Sequence, residues 1–284
     1  MTDAALPEPL LVKADPGDHE VIYRHTRVVR ITHWINLGCI VLLLMSGLQI
    51  FNAHPRLYWG QKGDEADHSF LSMLAYPTGE DTFRGETRLG DLKFDTTGVL
   101  GASVHDNRGV PWWATLPGAR NLATGRRWHF FMAWIFAING LVYLVSSAIN
   151  GHFKRDLALR REEIAPRSLW RDIVDHIRFK HPTGEAAKRY NPLQKLAYLS
   201  IIVVILPLMV LTGLTMSPGI DAFAPWLLSV FGGRQSARSI HFICANLIVL
   251  FVIVHVAEVF IAGVFNEIGS MITGRYKVKL GDHG

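Results

Sequence analysis

Residues 240–264, IHFICANLIVLFVIVHVAEVFIAGV, form an apolar run that carries two histidines, His241 and His255. About 20 apolar residues suffice to fill the hydrocarbon of a bilayer, so this run reads as a transmembrane helix. The histidines are 14 residues apart (255 − 241). That is nearly four helical turns, which puts both imidazoles on one face with roughly 21 Å of rise between them. One then lies near each membrane surface. An ionisable side chain at such depth is costly unless it faces the protein interior and finds a partner. A lone intramembrane histidine is as often a packing residue as a ligand. Two in vertical register point to two stacked sites, each needing a second histidine from another helix.

Three further runs are long enough to span, 31–51, 128–149 and 193–216. With 49% hydrophobic residues and a mean hydropathy of +0.20, the 284-residue chain is too apolar for an ordinary soluble domain. The expected fold is an all-α membrane protein, a four-transmembrane-helix bundle with a long periplasmic segment and a cytoplasmic amphipathic helix. The stretch MTDAALPEPLLVKADPGDHE has neither the basic start nor the apolar core of a secretory signal, and is expected to be a floppy, uncleaved tail. The two cysteines, Cys39 and Cys244, fall inside spans. They match neither a disulfide framework nor a c-type haem attachment, and read as small packing residues between helices.

Orientation follows from Lys and Arg. The connection between the second and third spans is dense in them, from Lys154 and Arg155 to Arg189 and Lys195, and Arg24, Arg27, Arg30, Arg275, Lys277 and Lys279 flank the first and fourth spans. All of these belong inside. The expected organisation in a bacterial inner membrane is a cytoplasmic tail over 1–29, a first span over 30–52, a periplasmic segment over 53–125 and a second span over 126–150. A cytoplasmic segment over 151–192, a third span over 193–216, a periplasmic loop over 217–237, a fourth span over 238–265 and a cytoplasmic tail over 266–284 complete it. Segment 53–125 is too long for a plain connector and is expected to be an ordered cap or docking surface. Its His54, His68 and His105 have no ligand spacing and read as solvated surface residues. In PRSLWRDIVDHIRFK, from Pro166, the residues Leu169, Trp170, Ile173 and Ile177 lie at helical spacing among basic residues, an interfacial amphipathic helix. His152, His176 and His181 beside it read as solvated. Pro207 is expected to kink the third span.

Depth pairs the remaining histidines. His33 follows Arg30 at the inner end of the first span, level with His255, and His129 follows Arg126 and Arg127 at the outer end of the second, level with His241. Two imidazoles from facing helices are the axial ligands of a haem closed to small molecules, whose role is then electron transfer. The expected cofactors are two haem b, ligated by His33 with His255 and by His129 with His241. Arg30, Arg126, Arg127 and Arg238 lie within about a turn of ligands, where propionates need cations, although arginines are also ordinary anchors at helix ends.

Motifs RITHWIN with SGL in the first span, GRRWHFF opening the second, YNPLQK before the third, and the fourth helix with His241 and His255 resemble those of a known family. It is the di-haem cytochrome b subunits of membrane-bound formate dehydrogenases and nickel–iron hydrogenases. The resemblance implies electron transfer between a redox partner outside the membrane and the quinone pool, with quinone approaching the inner haem. By that likeness Asn191 and Gln194 become quinone-site candidates together with His255, although Asn191 before Pro192 also reads as an N-cap. Glu258, ionisable and three residues after His255, is a candidate for the proton path or for a salt bridge to an inner-leaflet arginine. The long outer segment departs from those relatives. With GVPWWATLPGARNLATGRRWHFFMAW it is similar instead to the cytochromes associated with molybdopterin oxidoreductases of the sulfite-oxidase or thiosulfate-reductase kind. Expected partners are membrane lipid, a periplasmic redox protein and quinone, and no nucleic acid. Two other classes stay open: a self-contained quinone-linked oxidoreductase acting on a small oxidant such as superoxide, and a non-redox transporter or scaffold.

Overall fold

The computed structural model describes residues 11–14, 19–64, 67–79, 82–102, 107–151, 153, 157–159, 163, 165–177 and 191–279. Along the chain it forms β1 (Leu11–Ala14), β2 (His19–Tyr23), α1 (Arg27–Phe51), β3 (Arg56–Leu57), β4 (Leu71–Pro77), β5 (Phe83–Leu89) and β6 (Leu92–Asp95). There follow α2 (Leu122–Ile149), α3 (Pro166–Ile177), α4 (Pro192–Leu199), a π-helical turn (Ser200–Ile205), α5 (Leu206–Thr215), α6 (Pro218–Phe223), α7 (Trp226–Val230), α8 (Arg234–Thr273) and β7 (Arg275–Lys279). Four helices are long and apolar enough to cross a membrane: Arg27–Phe51, Leu122–Ile149, Pro192–Thr215 and Arg234–Thr273. The chain is a mostly helical membrane protein. It is not all-α, because two antiparallel sheets accompany the helices.

The spans are inverted with respect to a soluble domain. Ser46, Gln49, Thr212, Thr215 and Ser239 are buried, while Val41, Leu141, Val145, Val203, Leu250 and Ile253 are exposed. Small polar residues inside let backbones approach and hydrogen-bond, and lipid solvates the aliphatic face. Helix starts are set by side-chain caps. Thr26 Oγ1 accepts from the Val29 N–H at 3.4 Å, and Asn121 Oδ1 from the Thr124 N–H at 3.0 Å.

The third span is not one regular helix. Its π-helical turn immediately precedes Pro207, which has no N–H for the carbonyl four residues back, so the widened turn absorbs the mismatch. The fourth runs further than the expected 238–265, to Thr273, but breaks at Gly263, where φ 107° and ψ 84° suit only glycine.

The chain divides into two compact units. The first, Met1–Trp34, Asn139–Ile205 and Leu247–Gly284, holds a sheet of order β1-β2-β7, with His19 opposite Lys279 and Tyr23 opposite Arg275. The expectation of a floppy amino-terminal tail over 1–20 is therefore corrected for residues 11–14 and 19–20, whose backbones pair within this sheet, β1 with β2 and β2 with the strand that follows α8. At the end of α8, Trp34 Nε1 donates to the Met271 carbonyl at 3.1 Å and Arg30 Nη1 to the Ile272 carbonyl, satisfying acceptors that a helix terminus leaves open. Buried Lys195 pairs with Glu163 at 2.9 Å.

The second unit, Ile35–Ile138 and Leu206–Asn246, contains the sheet β3-β4-β5-β6. The described residues of segment 53–125 thus include four strands, which were not expected. A Gly90–Asp91 turn joins the paired Leu89 and Leu92, with Gly90 at φ 57°. Phe51, Leu57 and Val110 form the core beneath the sheet, packed by Phe70, Met73 and Phe242. Asn52 Nδ2 donates to the Val110 carbonyl at 2.9 Å while its Oδ1 accepts from the Val110 N–H at 2.7 Å. Ser239 Oγ donates to the Tyr58 carbonyl at 2.6 Å. His54 differs from its expected solvated state, being half-buried with its ring stacked on Tyr58 at 5.7 Å. His68 is exposed. His105, His152 and His181, and the His176 and Ile177 side chains, lie outside the described residues, as do most of the basic residues of 154–189.

A Cβ at Gly101, where φ is 78°, meets the Leu74 carbonyl oxygen at 2.5 Å. Gly101→Ala should destabilise this unit by about 1–3 kcal/mol, seen as faster tryptic cleavage within 53–125; an unchanged cleavage rate contradicts the packing described.

Candidate functional site

Each histidine pair falls within one unit. In the second unit, His129 on α2 and His241 on α8 have ring centroids 6.2 Å apart at an interplanar angle of 64°. In the first, His33 on α1 and His255 on α8 are 6.3 Å apart at 69°.

The His129 and His241 rings rest on matching surfaces. Ser46 Oγ lies 3.2 Å from His129 Nδ1, and Thr212 Oγ1 lies 3.2 Å from His241 Nδ1. The Met209 carbonyl is 3.0 Å from His241 Nδ1, and the Leu43 backbone hydrogen-bonds His129. The next residue is a glycine in both cases. A Cβ on Gly47 would stand 3.3 Å from His129 Cε1, and one on Gly213 would stand 3.3 Å from His241 Cε1. The SGL of the first span was legible in the sequence; its counterpart, Thr212-Gly213-Leu214 in the third, was missed, although the repeated hydroxyl–Gly–Leu step was there to be found.

The His33/His255 pair has aromatic surroundings instead. Phe251 stacks on His255 at 5.8 Å and 8°, and Tyr198 meets the same ring edge-on at 6.4 Å. Gln194, one turn before Tyr198 on α4, donates from Nε2 to Glu258 Oε2 at 3.4 Å. Tyr198 and Phe251 were not singled out from sequence; each lies four residues from a residue that was, Gln194 and His255, and so shares its helix face. Asn191 serves as the N-cap of α4, its Oδ1 accepting from the Gln194 N–H at 2.8 Å, with Pro192 in the first turn.

The arginines divide in two. Arg30 donates to the Ile272 carbonyl, and Arg238 Nη1 donates to the Arg56 carbonyl at 3.0 Å and its Nη2 to that of His54. Arg126 and Arg127 are exposed, the Arg126 guanidinium lying 5.7 Å from the centre of the Phe130 ring.

Residues 24–274 match the family model described as prokaryotic cytochrome b561. The chain belongs to that family. It is therefore a membrane haem protein of electron transfer, binding haem b. It is 28% identical over 240 residues to a putative protein-methionine-sulfoxide reductase subunit, YedZ1, of Azospira oryzae, covering 84% of this chain and 91% of that protein. It is also 28% identical over 178 residues to a probable Ni/Fe-hydrogenase B-type cytochrome subunit of Cupriavidus necator, covering 57% and 72% respectively. No solved structure matches this cytochrome b561 significantly.

Loss of the α4 cap makes a direct prediction. Asn191→Ala should lower stability by about 1 kcal/mol and Asn191→Ser should recover most of it, read by thermal denaturation followed through the haem absorbance; equal midpoints for both variants and the parent contradict the cap.

Proposed function

We propose that this cytochrome b561 carries electrons across the membrane through two b-type haems, one held by His33 and His255 and the other by His129 and His241. The observation that carries the proposal is the spacing of the pairs, 6.3 and 6.2 Å between ring centroids. Two imidazoles this close, each from a different helix, would be able to hold one haem iron between them. Gly47 and Gly213 add to the fit, since they leave the His129 and His241 rings room that a methyl group would take.

A haem bound between two imidazoles supplies one-electron transfer with its iron closed to small molecules. The chain does the rest. His129 and His241 keep Nδ1 engaged and Nε2 available as the ligand atom. Arg126 and Arg127, beside His129 and bound to no backbone carbonyl among the described residues, would offer cations to propionates; Arg30 and Arg238 already serve carbonyls and would contribute through their remaining N–H groups. Around His255, Gln194 and Glu258 form a polar pair within a span, suited to hold a quinone oxygen and to take or give its proton. Asn191 positions the first turn of α4 from which Gln194 projects.

The positive-inside pattern puts His33, His255 and the quinone site on the cytoplasmic side of the bacterial inner membrane, with both termini, and the sheet of segment 53–125 on the periplasmic side near His129 and His241. The redox partner is then periplasmic. That the relative from Azospira oryzae bears the name of a reductase subunit favours a separate oxidoreductase of the molybdopterin-dependent kind implied by the sequence resemblance. Two-imidazole ligation would leave no open position for superoxide, and membership in a haem family leaves the non-redox transporter without support.

The haem count tests this reading. Pyridine haemochrome assay should give about two haems per chain, one for each imidazole pair, and a ratio near one in undamaged protein overturns the two-site arrangement. Gln194→Ala should leave both haems and their spectra intact while slowing quinol-driven reduction by about tenfold, the worth of one hydrogen bond of about 1.4 kcal/mol; unaltered kinetics remove Gln194 from the quinone site.

A further inference from the structure

The hydrogen atoms around Ser46 and Thr212 can be accounted for one by one. A hydroxyl has one proton to donate and lone pairs to accept with. Ser46 Oγ is 2.6 Å from the Leu42 carbonyl and Thr212 Oγ1 is 2.7 Å from the Leu208 carbonyl, each four residues back in its own helix. The proton of each hydroxyl is thus committed to backbone, and towards the imidazole each oxygen can only accept. So can the Met209 carbonyl beside His241. Both rings must carry their proton on Nδ1 and present the Nε2 lone pair, the form that binds a metal.

We propose that Ser46-Gly47 and Thr212-Gly213 are a duplicated imidazole seat, positioning residues that lock His129 and His241 in the metal-binding tautomer and set the reduction potential of the haem between them. The inference rests on the assignment of those two histidines as ligands and goes beyond it. The seat has three parts in each copy: the hydroxyl, the carbonyl three residues before it, and the glycine after it. The glycine is required because the imidazole Cε1 lies where its side chain would otherwise begin. An acceptor on Nδ1–H draws the proton outward and makes Nε2 a more basic ligand. A more basic ligand favours the ferric over the ferrous state, so the seat holds the potential down. His33 and His255 have no counterpart: among the described residues, no hydrogen bond reaches either ring. The effect therefore belongs to one haem of the two.

The test uses the full-length, haem-loaded protein and an equilibrium redox titration of the haem bands. Ser46→Ala and Thr212→Val should each keep both haems and raise the midpoint of the component that His129→Ala abolishes. The double variant should shift its reduction equilibrium by about tenfold, which is about 59 mV for a one-electron couple. The other component should stay where it is. Ser46→Thr and Thr212→Ser, which keep the hydroxyl, should titrate as the parent. Should Ser46→Ala fail to retain haem, Ser46→Cys, a weaker acceptor, should show the same rise at smaller amplitude. An unmoved midpoint, a fall, or an equal shift of both components overturns the seat. His129→Ala that leaves both components in place overturns the ligand assignment instead, so the two failures are distinguishable.

Discussion

An imidazole set among membrane-crossing helices keeps its place only if its polar atoms are partnered, because hydrocarbon offers none. Much of this fold answers to that constraint. His129 and His241 are approached from behind by a hydroxyl, a carbonyl and a bare glycine backbone, which is why small and hydroxylated residues lie inside α1 and α5. Aliphatic residues are pushed to the lipid face in consequence. Met209, Thr212 and Gly213 all lie just beyond Pro207, and the π-helical turn before that proline lets α5 continue as a regular helix through them.

The soluble-looking sheet serves the same end. Asn52, which binds Val110 through both halves of its carboxamide, is five residues after Gly47; Ser239 and Arg238, which hold the backbone of Tyr58, Arg56 and His54, are two and three residues before His241. Within this unit the strands therefore fasten the ends of α1 and α8 close to the parts of those helices that bear on the histidine pair. A bond network at that position restrains the helix segments next to the rings. The first unit works differently. There the ends of α8 and α1 are tied by Arg30 and Trp34, and the His255 ring is stacked on Phe251 and met edge-on by Tyr198, with no hydrogen bond to it among the described residues.

The spans and the histidine pairing were legible in the sequence because both rest on strong, simple signals. Apolar run length decides a span, and a separation of 14 residues decides depth. The sheet of segment 53–125 was not legible beyond its order: β4 and β5 read LSMLAYP and FRGETRL, with weak alternation and a glycine inside a strand, and only the Gly90–Asp91 turn carried a hairpin signature. The strand at 19–23 was hidden because its partner lies more than 250 residues away, past the end of α8. Thr212 went unnoticed since a threonine in an apolar helix is unremarkable until the ring that it serves is seen beside it. Asn191 was open to two readings, and its 2.8 Å cap to Gln194 assigns it a structural task at the edge of the candidate quinone site.

The central claim is that the four histidines act as two fixed pairs. Reductive titration of single alanine variants, with each haem followed by its own absorbance and electron paramagnetic resonance signal, tests it most directly. The account predicts that His129→Ala and His241→Ala lose one and the same component, and that His33→Ala and His255→Ala lose the other. Loss of a common component in His33→Ala and His241→Ala, with the other intact, contradicts it.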